Sequence, residues 1–460
     1  MKLGILPLAR ATFDVPFAEE NLSAMLAAVD ALGHEIVGAR VLLFDEAATM
    51  AAMADLEAAG IDQLLILQVT FTDAALTVAA ASRFQQPLSI WAVPEPRCGG
   101  RLRLNAFCGL NLASHALGLN GRAFSWLYAD PKRDPADDLR DLLAGARKSG
   151  RLDAVPVHDT SPAGAQVVAA INGRRIARIG AHPTGFDTCA YAPDAIRDLA
   201  GVSVDALELD DLFEAARATP AAEAARLRAV ADTQLDGLAA LDQEQLDRSL
   251  RLKAGLEHLR KRGGYDAFAL RCWPETFTEY GGAVCGPAAM MGEARVPCAC
   301  EADVYGALTQ LILQEAASAP VFLTDLVDMD AERNDGVVWH CGQAPLSMRD
   351  DAVAAEATVH TNRKQPLLYQ FPLKPGPVTL LRISQAFNTP KMVLSYGEMQ
   401  RAPMAFTGTS GVIRFARPAD AVLRDLIASG LEHHMALAYG DHRDTLRAVA
   451  AEMGLPLLEI

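Results

Sequence analysis

The chain has 460 residues, 51% hydrophobic and 22% charged, enough apolar mass for two to four folded cores at about 100–200 residues per domain, which excludes wholesale disorder. Acidic side chains outnumber basic ones 57 to 42, a formal charge of −15, and such a surface argues against binding to nucleic acid. No apolar run approaches the ~20 residues of a membrane span, MKLGILPLAR is too short and too soon polar for a signal peptide, and the eight cysteines (98, 108, 189, 272, 285, 298, 300, 341) are scattered, so a cytoplasmic protein with reduced thiols and no membrane partner is expected.

A first strand precedes Arg10 and Asp14. Further strands are predicted over 35–44, 63–68, 88–93, 123–128, 176–179, 206–209, 267–272 and 320–326. Helical patterns lie between them at 17–32, 46–59, 134–147, 212–231 and 241–262. Such alternation predicts parallel sheets covered on both faces. The turn-rich segment VPVHDTSPAG (155–164) separates a first α/β unit from a second. Beyond His340 come short alternating runs at 355–361, 378–385, 392–395 and 412–415, parted by turns at 374–377 and 408–411 and closed by a helix over 441–453. The expected architecture is therefore two Rossmann-like parallel-sheet α/β domains, 1–160 and 161–345, followed by a small C-terminal antiparallel β-barrel-like domain, 346–460, with the terminal helix on its outside.

No GxxxxGK[ST] loop, strand-linked GxGxxG or GxSxG elbow occurs. Cys298-x-Cys300 has the wrong spacing for a usual zinc site, and two buried thiols are the expected reading. The informative stretch is 271–343. Glu301 follows the run 296–300, Asp325 follows 321–323, and His340 follows 337–339. Ends of α/β strands are where ligands bind. A further polar group comes from His433-His434 in LEHHMALAYGDH. Taken singly, each has a structural explanation: a helix-end charge for Glu301, a turn or cap for Asp325, a satisfied core imidazole for His340. Taken together, two carboxylates and one or two imidazoles make an O/N donor set that suits a divalent ion, Mn²⁺ first, with Co²⁺, Mg²⁺ or Fe²⁺ as competitors.

These motifs also carry a resemblance. CEADVYGALT (300–309), the interval of 24 residues (325 − 301) to the acid of FLTDL, HCG (340–342) and HH (433–434) resemble the L-fucose isomerase/L-arabinose isomerase superfamily. NAFCGLNLASHAL (105–117) and RIGAHPTGFD (178–187) also resemble family segments. The resemblance implies aldose–ketose isomerisation of a monosaccharide through a cis-enediol, with a divalent ion as Lewis acid. It implies Glu301 and Asp325 as both ligands and proton carriers. His434 supplies the nitrogen ligand, and His340 is either a fourth ligand or a group fixing a carboxylate. Trp273 is the expected aromatic wall, with Arg271 at the mouth. Arg10, Asn105 and His115 are placed near a neighbouring subunit's site, in a homotrimer or homohexamer. Asp303 is open between a helix-capping and a supporting role. The sugar is left open among a pentose, a deoxyhexose and a charged hexose such as a sulfonated one. A charged tail needs an Arg or Lys, and Arg10, Arg97, Arg101, Arg103 and Arg271 are the options. Rival expectations are a metal-dependent sugar aldolase or epimerase and a non-catalytic sugar-binding protein.

Overall fold

A computed structural model describes residues 1–150 and 152–460. The first alternating stretch forms a five-stranded, all-parallel sheet. Its strands are β1 (Lys2–Leu8), β2 (Glu35–Gly38), β3 (Gln63–Gln68), β4 (Leu88–Ala92) and β5 (Ser125–Tyr128), in the order β2-β1-β3-β4-β5. Every residue of β3 and β4 is buried, as in strands covered on both faces. Helix Val15–Asp30 begins where Asp14 accepts from the Phe17 N–H. Helix Glu46–Ala59 begins at the Asp45 cap and stops at Gly60, whose φ is 66°. The strand expected over 35–44 ends early. At Gly38 φ is 118°, and a Cβ there would lie 2.3 Å from the Ile5 carbonyl oxygen, so the chain turns away.

A second parallel sheet holds β6 (Arg175–Ile179), β7 (Ser203–Leu207), β8 (Ala267–Leu270) and β9 (Cys298–Ala299), in the order β7-β6-β8-β9. The single helix expected over 212–231 is two, Leu209–Arg217 and Ala221–Gln234. Pro220 parts them, because it has no N–H to continue the helical ladder.

The third sheet is mixed and nine-stranded: β10 (Phe322–Asp330), β11 (Asp335–His340), β12 (Glu356–Thr358), β13 (Leu368–Pro372), β14 (Gly376–Ser384), β15 (Lys391–Gln400), β16 (Thr409–Phe415), β17 (His434–Tyr439) and β18 (Leu457–Glu459). β13–β16 and β15–β18 pair in parallel and the rest antiparallel. The strand expected over 320–326 is not part of a parallel sheet. The turn 331–334, with Asn334 at φ 55°, folds it back on β11. It then lies antiparallel between β11 and β17. The last helix, Arg443–Glu452, packs against helices Pro162–Ile171 and Val304–Ala317 and on β15. One apolar cluster joins Ala269, Leu308, Leu323 and Ala436, so the second and third sheets share a core. Among the described residues no helix is long and apolar enough to cross a membrane.

Candidate metal and substrate site

β8 and β9 are parallel neighbours, with Phe268 opposite Cys298 and Ala269 opposite Ala299. Their C-terminal ends therefore bring Cys272-Trp273 beside Cys300-Glu301. Cys272 and Cys300 are joined as a disulfide, Cα to Cα 5.8 Å. This corrects the expectation of eight thiols and of a thiol at Cys300. The pairing follows from strand adjacency, which a separation of 28 residues does not reveal. The chain then turns into helix Val304–Ala317 through two consecutive left-handed residues, Glu301 (φ 59°) and Ala302 (φ 56°). Such backbone is costly for residues with a Cβ and concentrates at functional sites. It presents the Glu301 carboxylate to Trp273, whose Nε1 donates to Oε1 at 3.2 Å, and to His433, whose Nε2 is 3.0 Å from Oε2.

Asp325 lies within β10, not at a strand end as expected. It stands directly opposite His434 of β17 in the antiparallel register. Cross-strand partners share a face, and Asp325 Oδ1 comes within 3.4 Å of His434 Nε2. The same nitrogen is 3.8 Å from Glu301 Oε2. On the other side of the ring, Nδ1 is 3.0 Å from Asp303 Oδ2. Asp303 resolves its two expected roles by filling both. Oδ1 caps the helix by accepting from the Gly306 N–H at 2.8 Å, while Oδ2 faces His434 and accepts from buried Arg382 at 2.5 Å. His340 ends β11, its ring 5.6 Å from that of His434.

Electrostatics separate the acids. Burial works against ionisation of Glu301, but the His433 hydrogen bond and then the neighbouring imidazoles of His433, His434 and His340 outweigh it and hold the group at about 2. Burial pushes Asp325 up to about 7, with His434 opposing and the Glu301 charge adding. Asp303 is buried too, yet Arg382 and then His434 keep it well below the usual carboxylate range. Burial, then the charge of His434, brings His340 down to about 3, so it stays neutral.

Asp325 Oδ1 and His434 Nε2 are both buried without a hydrogen-bond partner. Buried polar atoms are rarely left so. Donor atoms of Asp325, His340 and His434 lie within 4.8 Å of one another, as do those of Cys189, Glu301, His433 and His434. Carboxylate and imidazole groups converging from three strands and a turn, with the Asp325 and His434 atoms left unpartnered, fit a divalent cation.

These groups open into a pocket of about 130 Å³. Of the residues expected at the site, Glu301, Asp325, His340, Trp273, Arg10 and Asn105 line it, and His434 stands directly behind. Arg271 and His115 do not line it. Arg271 donates to Glu275 at 2.7 Å and to the Ala181 carbonyl. His115 is buried with Nδ1 2.8 Å from the Gly430 carbonyl oxygen. A larger cavity, about 930 Å³, lies elsewhere and includes Asp328, three residues along β10 (328 − 325). Its buried Arg97 pairs with Asp328 at 2.6 Å, its buried Glu95 accepts the backbone N–H groups of Arg103, Leu104 and Asn105, and no histidine lines it. The smaller pocket is therefore the one lined by carboxylates and imidazoles together. Sequence reasoning missed Arg382 and the loop His360–Arg363. A charge inside the apolar run VTLLRIS was a legible sign of a buried partner for Arg382; the polar loop carries no pattern.

Residues 4–152 match the family model for the fucose/sulfoquinovose isomerase N-terminal domain. Over 401 residues, 87% of this chain and 86% of the relative, the sequence is 31% identical to a sulfoquinovose isomerase of Alkalicoccus urumqiensis. The chain belongs to the fucose isomerase-like superfamily. It is an aldose–ketose isomerase. Sulfoquinovose isomerases of Priestia megaterium (29% identical over 439 residues, 95% of this chain and 94% of the relative) and of Clostridium sp. strain MSTE9 (29% over 456 residues, 98% and 97%) are similar along nearly their full length.

Proposed function

We propose that this isomerase acts on a sulfonated hexose of the sulfoquinovose type, with a divalent ion as cofactor, and shifts the carbonyl from C1 to C2 through a cis-enediol. The observation that carries the reading is the pair of buried, unpartnered atoms, Asp325 Oδ1 and His434 Nε2, in and directly behind the wall of the pocket that Glu301 and Trp273 also line. The names of the relatives support the substrate class.

Glu301, Asp325 and His434 would hold the ion, Mn²⁺ by preference for this O/N set. When bound, the ion supplies Lewis-acid stabilisation for negative charge developing on the sugar oxygens. His340 has another task. Its Nδ1 accepts the Cys341 N–H at 2.8 Å, so the neutral ring carries its proton on Nε2 and donates. Glu301, ionised at neutral pH, is the base that takes the C2 proton and returns it to C1. Asp325, whose proton affinity burial raises in the ion-free site, is the second carboxylate, placed to give and take a proton at the oxygens. Asp303 fixes the His434 tautomer by accepting from Nδ1, which leaves Nε2 free to ligate. Trp273 is the wall along which the sugar chain lies.

The test is an assay of the purified chain with sulfoquinovose, with and without chelator. Formation of the ketose, abolished by chelation and restored by Mn²⁺, is the expected result. Turnover indifferent to chelation removes the ion from the account, and isomerisation of neutral sugars alone removes the sulfonated substrate.

A further inference from the structure

The pocket is lined by unlike charges. Glu301 and Asp325 line it, and so do two guanidiniums, those of Arg10 and Arg363. Arg10, at the C-terminal end of β1, lies 5.2 Å from the Phe71 ring centroid and 5.7 Å from that of Trp273. Arg363, from the loop before β13, lies 6.0 Å from the Trp273 centroid. The same indole donates to Glu301. One aromatic side chain therefore bonds a carboxylate of the candidate ion site and stands beside both guanidiniums of the cationic end.

The charge balance at the cationic end is specific. Arg10 is neutralised by Asp73 at 2.5 Å. Arg363 is half-buried, and among the described residues no carboxylate pairs with it. The Arg363 guanidinium is thus left without a carboxylate counter-charge where it lines the pocket. That suits an anion with several weakly basic oxygens, and a guanidinium fork is the side chain that grips such a group.

The loop that carries Arg363 is held in place. His360 Nδ1 accepts the backbone N–H groups of Asn362 and Arg363 at 3.3 and 3.2 Å, and the His360 ring packs edge-on against Phe277 at 5.1 Å. Arg101 donates to both the Asn362 side chain and the Thr12 carbonyl at 3.0 Å, tying this loop to the segment after Arg10. Of the five basic residues that the sequence offered for a charged tail, only Arg10 lines the pocket; Arg363 was not among them.

We propose that Arg363, with Arg10 beside it, reads the sulfonate of the sugar and sets the preference for the sulfonated over the neutral hexose. This rests on the isomerase reading of the same pocket and deepens it. Arg101 is a positioning residue, acting through Asn362.

The test uses the full chain with Mn²⁺ and two open-chain alditols that cannot isomerise, 6-deoxy-6-sulfoglucitol and 6-deoxyglucitol, titrated calorimetrically into the native protein, Arg363→Gln and Arg363→Lys. Native protein is expected to prefer the sulfonated alditol. Arg363→Gln should weaken that ligand by about 10- to 100-fold, as loss of a charge-assisted contact does, and remove most of the preference. Arg363→Lys, which keeps the charge and loses the fork, should recover part of it. Equal weakening of both alditols, or of neither, overturns the proposal. Steady-state rates separate the two readings. If Arg363→Gln loses the preference but native protein does not turn over sulfoquinovose, the proposed substrate falls and the anion site stands. If native protein turns over sulfoquinovose and Arg363→Gln retains its selectivity in kcat/KM, the anion site falls alone.

Discussion

Glu301 and Asp325 are buried carboxylates a few ångströms from one imidazole, and their surroundings drive their proton affinities apart. Glu301→Gln and Asp325→Asn keep shape and remove charge. Each is expected to lower kcat by about 10²- to 10⁴-fold, the usual weight of a positioned acid or base, with the circular-dichroism spectrum unchanged. A variant of either that keeps the native rate removes that residue from proton transfer. His434→Ala should weaken Mn²⁺ binding, followed by calorimetry, more than His433→Ala does, because His434 Nε2 faces both acids while His433 reaches only Glu301. The reverse order would assign the ligand to the wrong neighbour. At this scale the sequence was most legible. Residue types and the family resemblance marked Glu301, Asp325, His340 and His434. The resemblance alone brought in Arg271 and His115, whose side chains are engaged elsewhere.

The elements explain why these side chains meet. A two-residue strand, β9, delivers Glu301 next to the end of β8, and the antiparallel pair β10–β17 sets Asp325 opposite His434. Helix Val304–Ala317 is joined to this assembly through its cap. Asp303 binds Gly306 N, His434 and Arg382 of β14 together. Asp303→Ala should therefore act twice. It strands the buried Arg382 charge, costing roughly 3–5 kcal/mol in a denaturant titration, and it frees the His434 ring, costing about 10- to 100-fold in Mn²⁺ affinity. Loss of stability with native affinity would show that Asp303 serves the fold alone. Short-range patterns found these elements unevenly. Helix Glu46–Ala59 and strand Gln63–Gln68 were readable to the residue, since a cap or a fully apolar core run lies within the segment itself. The antiparallel setting of β10 was not, because it depends on partners at 335–340 and 434–439, the second more than a hundred residues away.

For the whole molecule, site and stability are coupled through protons. Asp325 has a raised pKa, about 7 against 3.8, so the folded metal-free state holds its proton more tightly than the unfolded chain. That contribution is complete below the unfolded value and is lost as pH rises toward 7. His340 acts in the opposite sense. Its lowered value, about 3 against 6.5, costs stability as pH falls below 6.5. In chelated protein, Asp325→Asn should raise Tm relative to native protein at pH 8, and the gap should close by pH 4.5. A gap that is constant with pH would contradict the buried, proton-holding carboxyl. Added Mn²⁺ should reverse the native deficit at pH 8, since ligation favours the deprotonated donors. At this scale the sequence conveyed the two parallel sheets, whose strands alternate with helices along the chain. It did not convey that β10 and β11 join the C-terminal strands, or that Cys272 and Cys300 meet, because both follow from neighbours set by the complete fold. The most direct test of the whole account is an anomalous-scattering map of crystals grown with Mn²⁺. A single peak bounded by the Glu301 and Asp325 carboxylates and His434 Nε2 is the predicted result. A peak elsewhere, or none at full Mn²⁺ saturation, would contradict it.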